Sequence, residues 1–250
     1  MEKLNEIILK RLKTMPPLDC TVVPGSTPVV AFGRFRSAKV ATISLNPSYR
    51  EFDIVKDKRR FHNLKSLGLS RYEDINENHM NQVLDYCERY FERPGIVYKQ
   101  WFNSISSFLK GSTDYDYYDG TACHLDLSQW ATSNIWGKLN SKQKKALTST
   151  GDLELLAEII KHSQIHTLFL NGVTTSKEIL KYFGIKHEVI LLRPYNKIEG
   201  YIAHTDEILG VKIGRTIKLI GWNAYIKYSG KDSIKLLSEW VRKEMEYIVK

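Results

Sequence analysis

The stretch AKVATISLNPSY, residues 38–49, places an apolar run directly before Asn46 and Pro47. A short apolar run that ends at turn residues is typical of a strand buried on both faces of a sheet. The same reasoning predicts further strands at residues 21–23, 28–33, 121–127, 165–172, 188–194, 201–209 and 215–223. Apolar residues at helical spacing predict helices at residues 3–14, 76–92, 98–110, 141–149, 152–162, 174–183 and 232–248.

Strands that alternate with helices favour an α/β fold whose sheet is covered on both sides. The sequence therefore predicts a three-layer α/β/α architecture with a mostly parallel central sheet. A length of 250 residues, without repeats or a compositional break, is compatible with one domain. We expect residues 1–27 to form an N-terminal helix and lead-in, and residues 28–250 to form the core.

The balance of charge points to a polyanionic partner. The formal net charge is +9, basic residues cluster at 56–60 and 142–145, and the chain carries 14 tyrosines that could stack on bases. DNA is therefore the first partner to test, although each basic run alone is typical of a solvated helix end.

Cysteine and histidine usage predicts neither a disulfide framework nor a metal site. The three cysteines lie far apart, and the seven histidines lack the spacing of zinc-binding motifs. No apolar run reaches the length of a membrane span. We accordingly expect a cytoplasmic protein that uses no cofactor or metal and does not associate with membranes.

Four of the apolar runs end in an amide or acidic residue: Asn46, Asp126, Asn171 and Asn223. Each could be an ordinary turn residue or helix cap, since Asn and Asp bond the neighbouring backbone well. In open α/β sheets, however, binding sites collect beyond the carboxyl ends of the strands. The occurrence of all four polar residues at strand ends of one chain therefore predicts a site at this edge of the sheet.

The motifs at these strand ends resemble those of the uracil-DNA glycosylase superfamily. SLNPS (residues 44–48) is similar to the first motif of the family, HLD (residues 124–126) to its base-reading strand, and FLNG (residues 169–172) to its late strand. The resemblance implies that Asn46 positions the attacking water, that Asp126 reads the base and that Phe61 stacks on it. It also makes Asn171 and Asn223 candidates for base binding.

Two departures from the family pattern bear on the substrate. The histidine-containing loop of the family is replaced by GWNAY (residues 221–225), and the uracil-reading Asn is replaced by Asp126. Aspartate can accept from the N4 amino group of cytosine but would repel O4 of uracil. A protonated Asp126 could also donate to N3, so the sequence predicts a cytosine-type base.

Excision of ordinary cytosine would destroy the host genome, so we expect a modified cytosine. The superfamily includes bacterial antiviral enzymes that remove glucosylated hydroxymethylcytosine from phage DNA, and the resemblance makes this substrate a concrete expectation. Ser48, Tyr49 and Arg50 could line a pocket for the added group. Contacts to the DNA backbone and a wedge are expected from Lys56, Lys58, Arg59, Arg60, Trp222, Tyr225, Lys227 and Tyr228.

Several alternatives stay open at this point. The chain could remove ordinary uracil, or it could be an inert nucleic-acid-binding module. NPSY (residues 46–49) is also similar to the N-P-P-Y strand end of DNA amino-methyltransferases, but Gly33 stands alone where such enzymes need a glycine-rich cofactor loop. Phe61 could equally be a core residue, Asp126 could instead bond backbone amides of residues 128–132, and His124 should share a face with Asp126.

Overall fold

A computed structural model describes residues 2–55, 58–93 and 95–246, and leaves the side chains of residues 54, 55, 58 and 150 undescribed. The helices of this part are α1 (Glu2–Leu12), α2 (Glu77–Glu88), α3 (Lys99–Thr113), α4 (Ser141–Leu147), α5 (Thr150–His162), α6 (Val173–Phe183) and α7 (Lys231–Glu246). The strands are β1 (Val40–Ser44), β2 (Ile54–Val55), β3 (Lys58–Arg59), β4 (Ala122–Asp126), β5 (Thr167–Asn171), β6 (Glu188–Arg193), β7 (Ile198–Ile208) and β8 (Val211–Trp222).

The central sheet has the strand order β4-β1-β5-β8-β7-β6. Its first four strands are parallel to one another, whereas β7 and β6 run antiparallel to their neighbours. Every residue of β4 and β5 is buried, which explains their continuous apolar character. The predicted mostly parallel α/β sheet is confirmed.

Helices cover both faces of this sheet. On one face, Phe108 of α3 packs on Trp222 of β8, with ring centroids 5.0 Å apart. On the other face, a Cβ at Gly221 would lie 2.9 Å from Oγ of Ser176 in α6. Because successive residues of a strand point to opposite faces, these two contacts place α3 and α6 on opposite sides. The architecture is the predicted three-layer α/β/α arrangement.

The strands predicted at residues 21–23 and 28–33 are wrong. This segment forms only isolated bridges, of which the most important joins Phe32 to His124 of β4. Pro24 and Pro28 remove two N–H donors, and the positive φ angles of Thr21, Gly25 and Gly33 interrupt the extended backbone, so pairing is limited to single bridges. Phe32 and His124 nevertheless exchange two hydrogen bonds of 2.9 Å each, and the segment thereby covers the outer edge of β4.

Helix α1 is tied to α5 and to the loop that follows β4. Nη2 of Arg11 lies 2.5 Å from Oδ1 of Asp152, and both side chains are almost completely buried. The same carboxylate oxygen accepts a hydrogen bond of 3.0 Å from the backbone N–H of Gln129. One buried ion pair therefore fixes the N-terminal helix and the loop after β4 together.

No helix in the described part of the chain has the length and apolar content needed to cross a bilayer.

Candidate active site

The turns after β1 and β4 are joined to each other at the carboxyl edge of the sheet. Ser44 and Asp126 are register partners at the ends of these strands. Beyond them, the N–H of Leu127 donates to the carbonyl of Ser44, and the N–H of Ser128 donates to that of Leu45, both at 2.9 Å. The ladder thus continues past the strands and brings Asn46 and Asp126, the two predicted catalytic residues, to the same edge.

The side-chain amide of Asn46 has a fixed orientation. Its Nδ2 donates to Oγ1 of Thr132 at 2.7 Å. It also lies 3.3 Å from the carbonyl oxygen of Trp130 and 3.2 Å from that of Pro47. The Thr132 hydroxyl donates its own proton to the carbonyl of Asn134 at 2.6 Å, so it accepts from Asn46. With acceptors around Nδ2, the amide oxygen accepts no hydrogen bond from the described residues and stays available for a ligand.

Asp126 is a buried carboxyl group whose Oδ1 accepts no hydrogen bond from the described residues. The alternative that it bonds backbone amides of residues 128–132 is wrong, because Asp152 accepts from the N–H of Gln129 instead. Burial raises the pKa of Asp126, and His124 partly offsets this. A buried polar atom without a partner costs about 1–3 kcal/mol. This cost makes Asp126 a candidate ligand-binding group.

His124 is oriented toward Asp126 by a chain of hydroxyl groups. Its Nε2 lies 3.6 Å from Oδ1 of Asp126, and its Nδ1 lies 2.7 Å from Oγ1 of Thr42. That hydroxyl is 2.5 Å from the phenol of Tyr117. If Tyr117 donates to Thr42 and Thr42 donates to Nδ1, the proton of the neutral imidazole lies on Nε2, which faces Asp126 at a distance too long for a direct hydrogen bond. The predicted shared face of His124 and Asp126 is confirmed.

Glu51 is a buried residue near this site that the sequence analysis missed. It is 2% exposed and accepts a hydrogen bond of 2.7 Å from the hydroxyl of Tyr90, while Nε of Arg60 lies 4.0 Å away. Burial raises the pKa of Glu51 to about 8, although the hydrogen bond from Tyr90 and the charge of Arg60 partly offset this. The neutral form of Glu51 is therefore favoured at neutral pH.

Phe61, which was predicted to stack on the base, lies in an aromatic cluster of the core. Its ring stacks on Tyr90 at 5.3 Å and meets the edge of Phe32 at 5.1 Å. Phe32 in turn lies 5.3 Å from the ring of His124. Only 2% of Phe61 is exposed, so in this conformation Phe61 is a core residue, as the alternative interpretation proposed. The cluster nevertheless contacts both groups, because Tyr90 donates to Glu51 and Phe32 packs against His124.

Ser48, Tyr49 and Arg50 were predicted to line a pocket for the group added to the base, and in the structure Ser48 is half-buried while Tyr49 and Arg50 are exposed. The Ser48 hydroxyl accepts from the N–H of Arg50 and begins a short 3-10 turn. The Arg50 guanidinium lies over the rings of Tyr49 and Tyr98, at 5.9 and 5.6 Å, and donates to the Tyr98 hydroxyl at 3.1 Å. Tyr49 and Arg50 form the exposed part of this cluster, at the start of the turn that also carries Glu51.

Three residues predicted to contact base or DNA have structural positions instead. Asn171 accepts hydrogen bonds from Nε1 of Trp222 and from the N–H of Ile226, and Trp222 is completely buried. Asn223 accepts from the N–H of Glu199 and donates to the carbonyl of Lys197, at 3.1 and 2.7 Å. The two amides hold the loops at the ends of β5 and β8, and the ring of Trp222 is enclosed by protein. In this structure Asn171 and Asn223 therefore do not face a base, and Trp222 does not face DNA.

The remaining predicted DNA contacts divide into covered and exposed side chains. Arg60 is buried, and it donates to the carbonyls of Ile96 and Arg50 rather than facing solvent. Tyr225 is half-buried, and its ring packs against Gly172. Lys227 and the exposed Tyr228 form a surface pair, with 5.3 Å between the ammonium and the ring centre. Arg59 is half-buried, whereas Lys56 and the side chain of Lys58 lie outside the described residues.

The described cavities are not at this site. Volumes of about 30 and 280 Å³ lie beside α2 and share Arg34, Glu88 and Glu92 in their walls. Gly33 belongs to the smaller one, where a Cβ would meet the ring of Phe91 at 3.0 Å, so this glycine has a packing role. Among the described residues, no three His, Cys, Asp or Glu side chains gather in a way that could hold a metal ion.

Neither protein-family models nor curated proteins give a match to this chain. The resemblance to the glycosylases therefore depends on the short sequence motifs alone.

Proposed function

We propose that this protein is a DNA glycosylase that hydrolyses the N-glycosidic bond of an extruded, modified cytosine and leaves an abasic site. The observation that carries the proposal is the buried carboxyl of Asp126, whose Oδ1 has no hydrogen-bond partner among the described residues and which lies at the same sheet edge as Asn46. Glucosylated hydroxymethylcytosine of phage DNA is the substrate that the family resemblance suggests.

Asp126 has the properties needed to read cytosine. The Watson–Crick edge of cytosine offers an amino donor at N4 and an acceptor at N3, so a protonated carboxyl matches both positions. Burial raises the pKa of Asp126 and so favours this protonated form. Uracil presents the opposite pattern at both positions, with an acceptor at O4 and a donor at N3. The carboxyl group therefore supports a cytosine-type substrate over uracil.

Asn46 is suited to hold the attacking water rather than to remove its proton. The amide oxygen is a weak base, but its direction is set by the hydrogen bonds that Nδ2 donates to Thr132 and Trp130. Cleavage of an N-glycosidic bond develops oxocarbenium character on the sugar, and such a centre needs little nucleophilic assistance. Orientation of the water is then the main contribution of Asn46 to the rate.

Access to Asp126 requires side-chain movement. Only 5% of Asp126 is exposed, so a base can reach it only after covering groups are displaced. The surface cluster of Tyr49, Arg50 and Tyr98 is held by stacking and by two hydrogen bonds that Arg50 donates, to the hydroxyls of Tyr49 at 3.4 Å and Tyr98 at 3.1 Å. Rotamer changes of this kind are common when a binding surface meets its ligand. The exposed guanidinium and hydroxyl groups would then be free to bond an added sugar.

Abasic-site formation tests this function directly. Duplexes that contain cytosine, uracil, hydroxymethylcytosine or glucosylated hydroxymethylcytosine are incubated with the protein, and abasic sites are revealed by alkali cleavage. We expect cleavage of a modified-cytosine duplex by the wild type and its loss in Asn46→Ala and Asp126→Ala. Cleavage of the uracil duplex alone would contradict the assignment of Asp126, and cleavage of no duplex would contradict the glycosylase itself.

Asp126→Asn gives a sharper result, because it restores the donor–acceptor pattern that matches uracil. We expect the ratio of modified-cytosine to uracil excision to fall about tenfold to a hundredfold, the range for one lost bidentate base contact. Asp116→Asn is the matched control, since Asp116 is also buried but belongs to the segment that precedes β4. A similar change of the ratio in both variants would show that the effect is not specific to Asp126.

A further inference from the structure

Ile135 is a large apolar side chain that is 69% exposed on the loop after β4. It occupies the position before a 3-10 turn, Trp136–Lys138, and its backbone is extended, with φ −66° and ψ 148°. Isolated exposed apolar residues are common on proteins and require no explanation by themselves. The surroundings of Ile135, however, give it three properties that together indicate a specific contact.

The loop holds Ile135 in a fixed position. On one side, the N–H of Ser133 donates to the carbonyl of Thr21 at 2.8 Å. On the other side, the N–H of Lys138 donates to the carbonyl of Ile135 at 2.9 Å, and the ring of Trp136 is buried. Since the neighbouring side chain and backbone are anchored, the exposed Ile135 side chain loses little conformational freedom when it is inserted into a partner.

The second property is the short connection to the candidate active site. Thr132, which orients the amide of Asn46 at 2.7 Å, also donates to the carbonyl of Asn134, at 2.6 Å. Ile135 follows immediately, so its Cα lies within roughly 11 Å of that of Thr132 even for an extended chain. This distance corresponds to about three base-pair steps of a duplex.

The third property is the charge beside it. Lys138, Lys142 and Lys145 follow Ile135 along the loop and on α4, and all three are exposed. None forms an ion pair with a carboxylate of the described residues. An apolar tip beside uncompensated cations is complementary to a stacked, polyanionic duplex and unsuited to an apolar protein surface.

We infer that Ile135 is the wedge that enters the base stack of duplex DNA, with Lys138, Lys142 and Lys145 bound to phosphates of the flanking nucleotides. This inference rests on the proposed function for its purpose, which is to stabilise the gap left by an extruded base. The wedge was expected from the sequence in the loop after β8, but there Trp222 is buried and Tyr225 packs against Gly172. Apolar side chains such as Ile unstack base steps in many DNA-bending proteins.

Binding to an unmodified duplex tests the inference without catalysis. The probe is a fluorescein-labelled 21-base-pair duplex, with a matching duplex that carries 2-aminopurine to report unstacking. We expect the wild type to bind and to increase the 2-aminopurine fluorescence, and Ile135→Ala to bind with an unchanged salt dependence but without this increase. Leu191→Ala is the control, because Leu191 is also exposed but lies on β6, the strand at the opposite edge of the sheet. Equal fluorescence increases for the wild type and Ile135→Ala would overturn the inference.

The lysines are tested by the salt dependence of the affinity. Removal of three phosphate contacts lowers the slope of log affinity against log salt by roughly 2.7. We expect this change in the triple variant K138A/K142A/K145A but not in K177A/K181A/K186A, which removes the same number of exposed charges from α6 and its end. Equal slopes in the two triple variants, or no binding of the duplex by the wild type, would contradict the proposed surface.

A comparison of duplex and single-stranded substrates separates the two proposals. On modified DNA, Ile135→Ala should lower abasic-site formation about tenfold for the duplex and leave it unchanged for the single strand, which has no stack to open. Equal losses on both substrates would refute the wedge role of Ile135 but would be compatible with the proposed glycosylase activity. If the protein bound and unstacked the duplex but formed no abasic sites on any modified DNA, the proposed glycosylase activity would be refuted. The proposed DNA-binding surface around Ile135 would still be supported.

Discussion

Replacement of Glu51 by glutamine should change how the stability of the protein depends on pH. Burial raises the pKa of Glu51 from 4.5 to about 8, so the native state retains a proton that the unfolded chain has already lost. The stability associated with this proton is fully present below pH 4.5 and is lost as the pH rises through about 8. Glutamine removes the titration and keeps an oxygen that can accept from Tyr90.

The expected size of the effect follows from the two pKa values. A single group with these values lowers the free energy of unfolding by about 1 kcal/mol at pH 5 and by about 4 kcal/mol at pH 8, relative to the fully protonated state. Glu51→Gln carries no such loss. The difference in stability between the variant and the wild type should therefore increase by about 3 kcal/mol in favour of the variant between these pH values.

Urea unfolding at pH 5, 6, 7 and 8, followed by circular dichroism, measures this difference. Glu6→Gln is the matched control, because Glu6 is an exposed residue of α1 and its replacement should leave the pH dependence unchanged. Parallel stability profiles for the wild type and Glu51→Gln would refute the reasoning. Such a result would mean that Glu51 is ionised in the native state at neutral pH.

Three further changes test other parts of the structure. Asp152→Asn leaves the buried guanidinium of Arg11 without its counter-charge and should cost about 3–5 kcal/mol of unfolding free energy in urea titrations; a loss below 1 kcal/mol would contradict the buried ion pair. Gly172→Ala introduces a Cβ 2.5 Å from the ring of Tyr225 at a φ of +96° and should cost roughly 1–3 kcal/mol by the same assay; an unchanged stability would show that this turn is not constrained. Thr132→Val removes the acceptor that orients Asn46, and abasic-site formation should fall about tenfold while the urea midpoint changes little; unaltered activity would exclude the positioning role.

The central layers were predictable because burial leaves a clear local signature. The apolar runs of β1, β4 and β5 are short, lie between turn residues and are covered on both faces, so their character does not depend on distant contacts. Residues 21–33 carry similar apolar runs but interrupt them with Pro24 and Pro28. Propensity alone overestimated the strands there, because the prolines and the residues with positive φ interrupt the extended backbone that a continuous ladder needs.

The polar residues of the site were predictable only in part. Asn46, Asn171 and Asn223 all follow apolar runs, and nothing local distinguishes an amide that faces a ligand from one that anchors a loop. Glu51 carries no signal at all, since it stands between Arg50 and Phe52 in a polar stretch and is buried through Tyr90, 39 positions away. Such a burial depends on the assembled fold rather than on a sequence pattern.

The ion pair between Arg11 and Asp152 has a consequence for the order in which the molecule assembles. It joins positions 141 residues apart, and the loop that carries Ser128 and Gln129 depends on it for hydrogen bonds. During synthesis, β1 and β4 leave the ribosome before Asp152 does. The loop after β4 therefore lacks the hydrogen bonds to Asp152 until the second half of the chain has been made. Contacts of long sequence separation slow folding. We therefore expect the segment around Gln129 to gain amide-exchange protection late in refolding, after the parallel strands have paired.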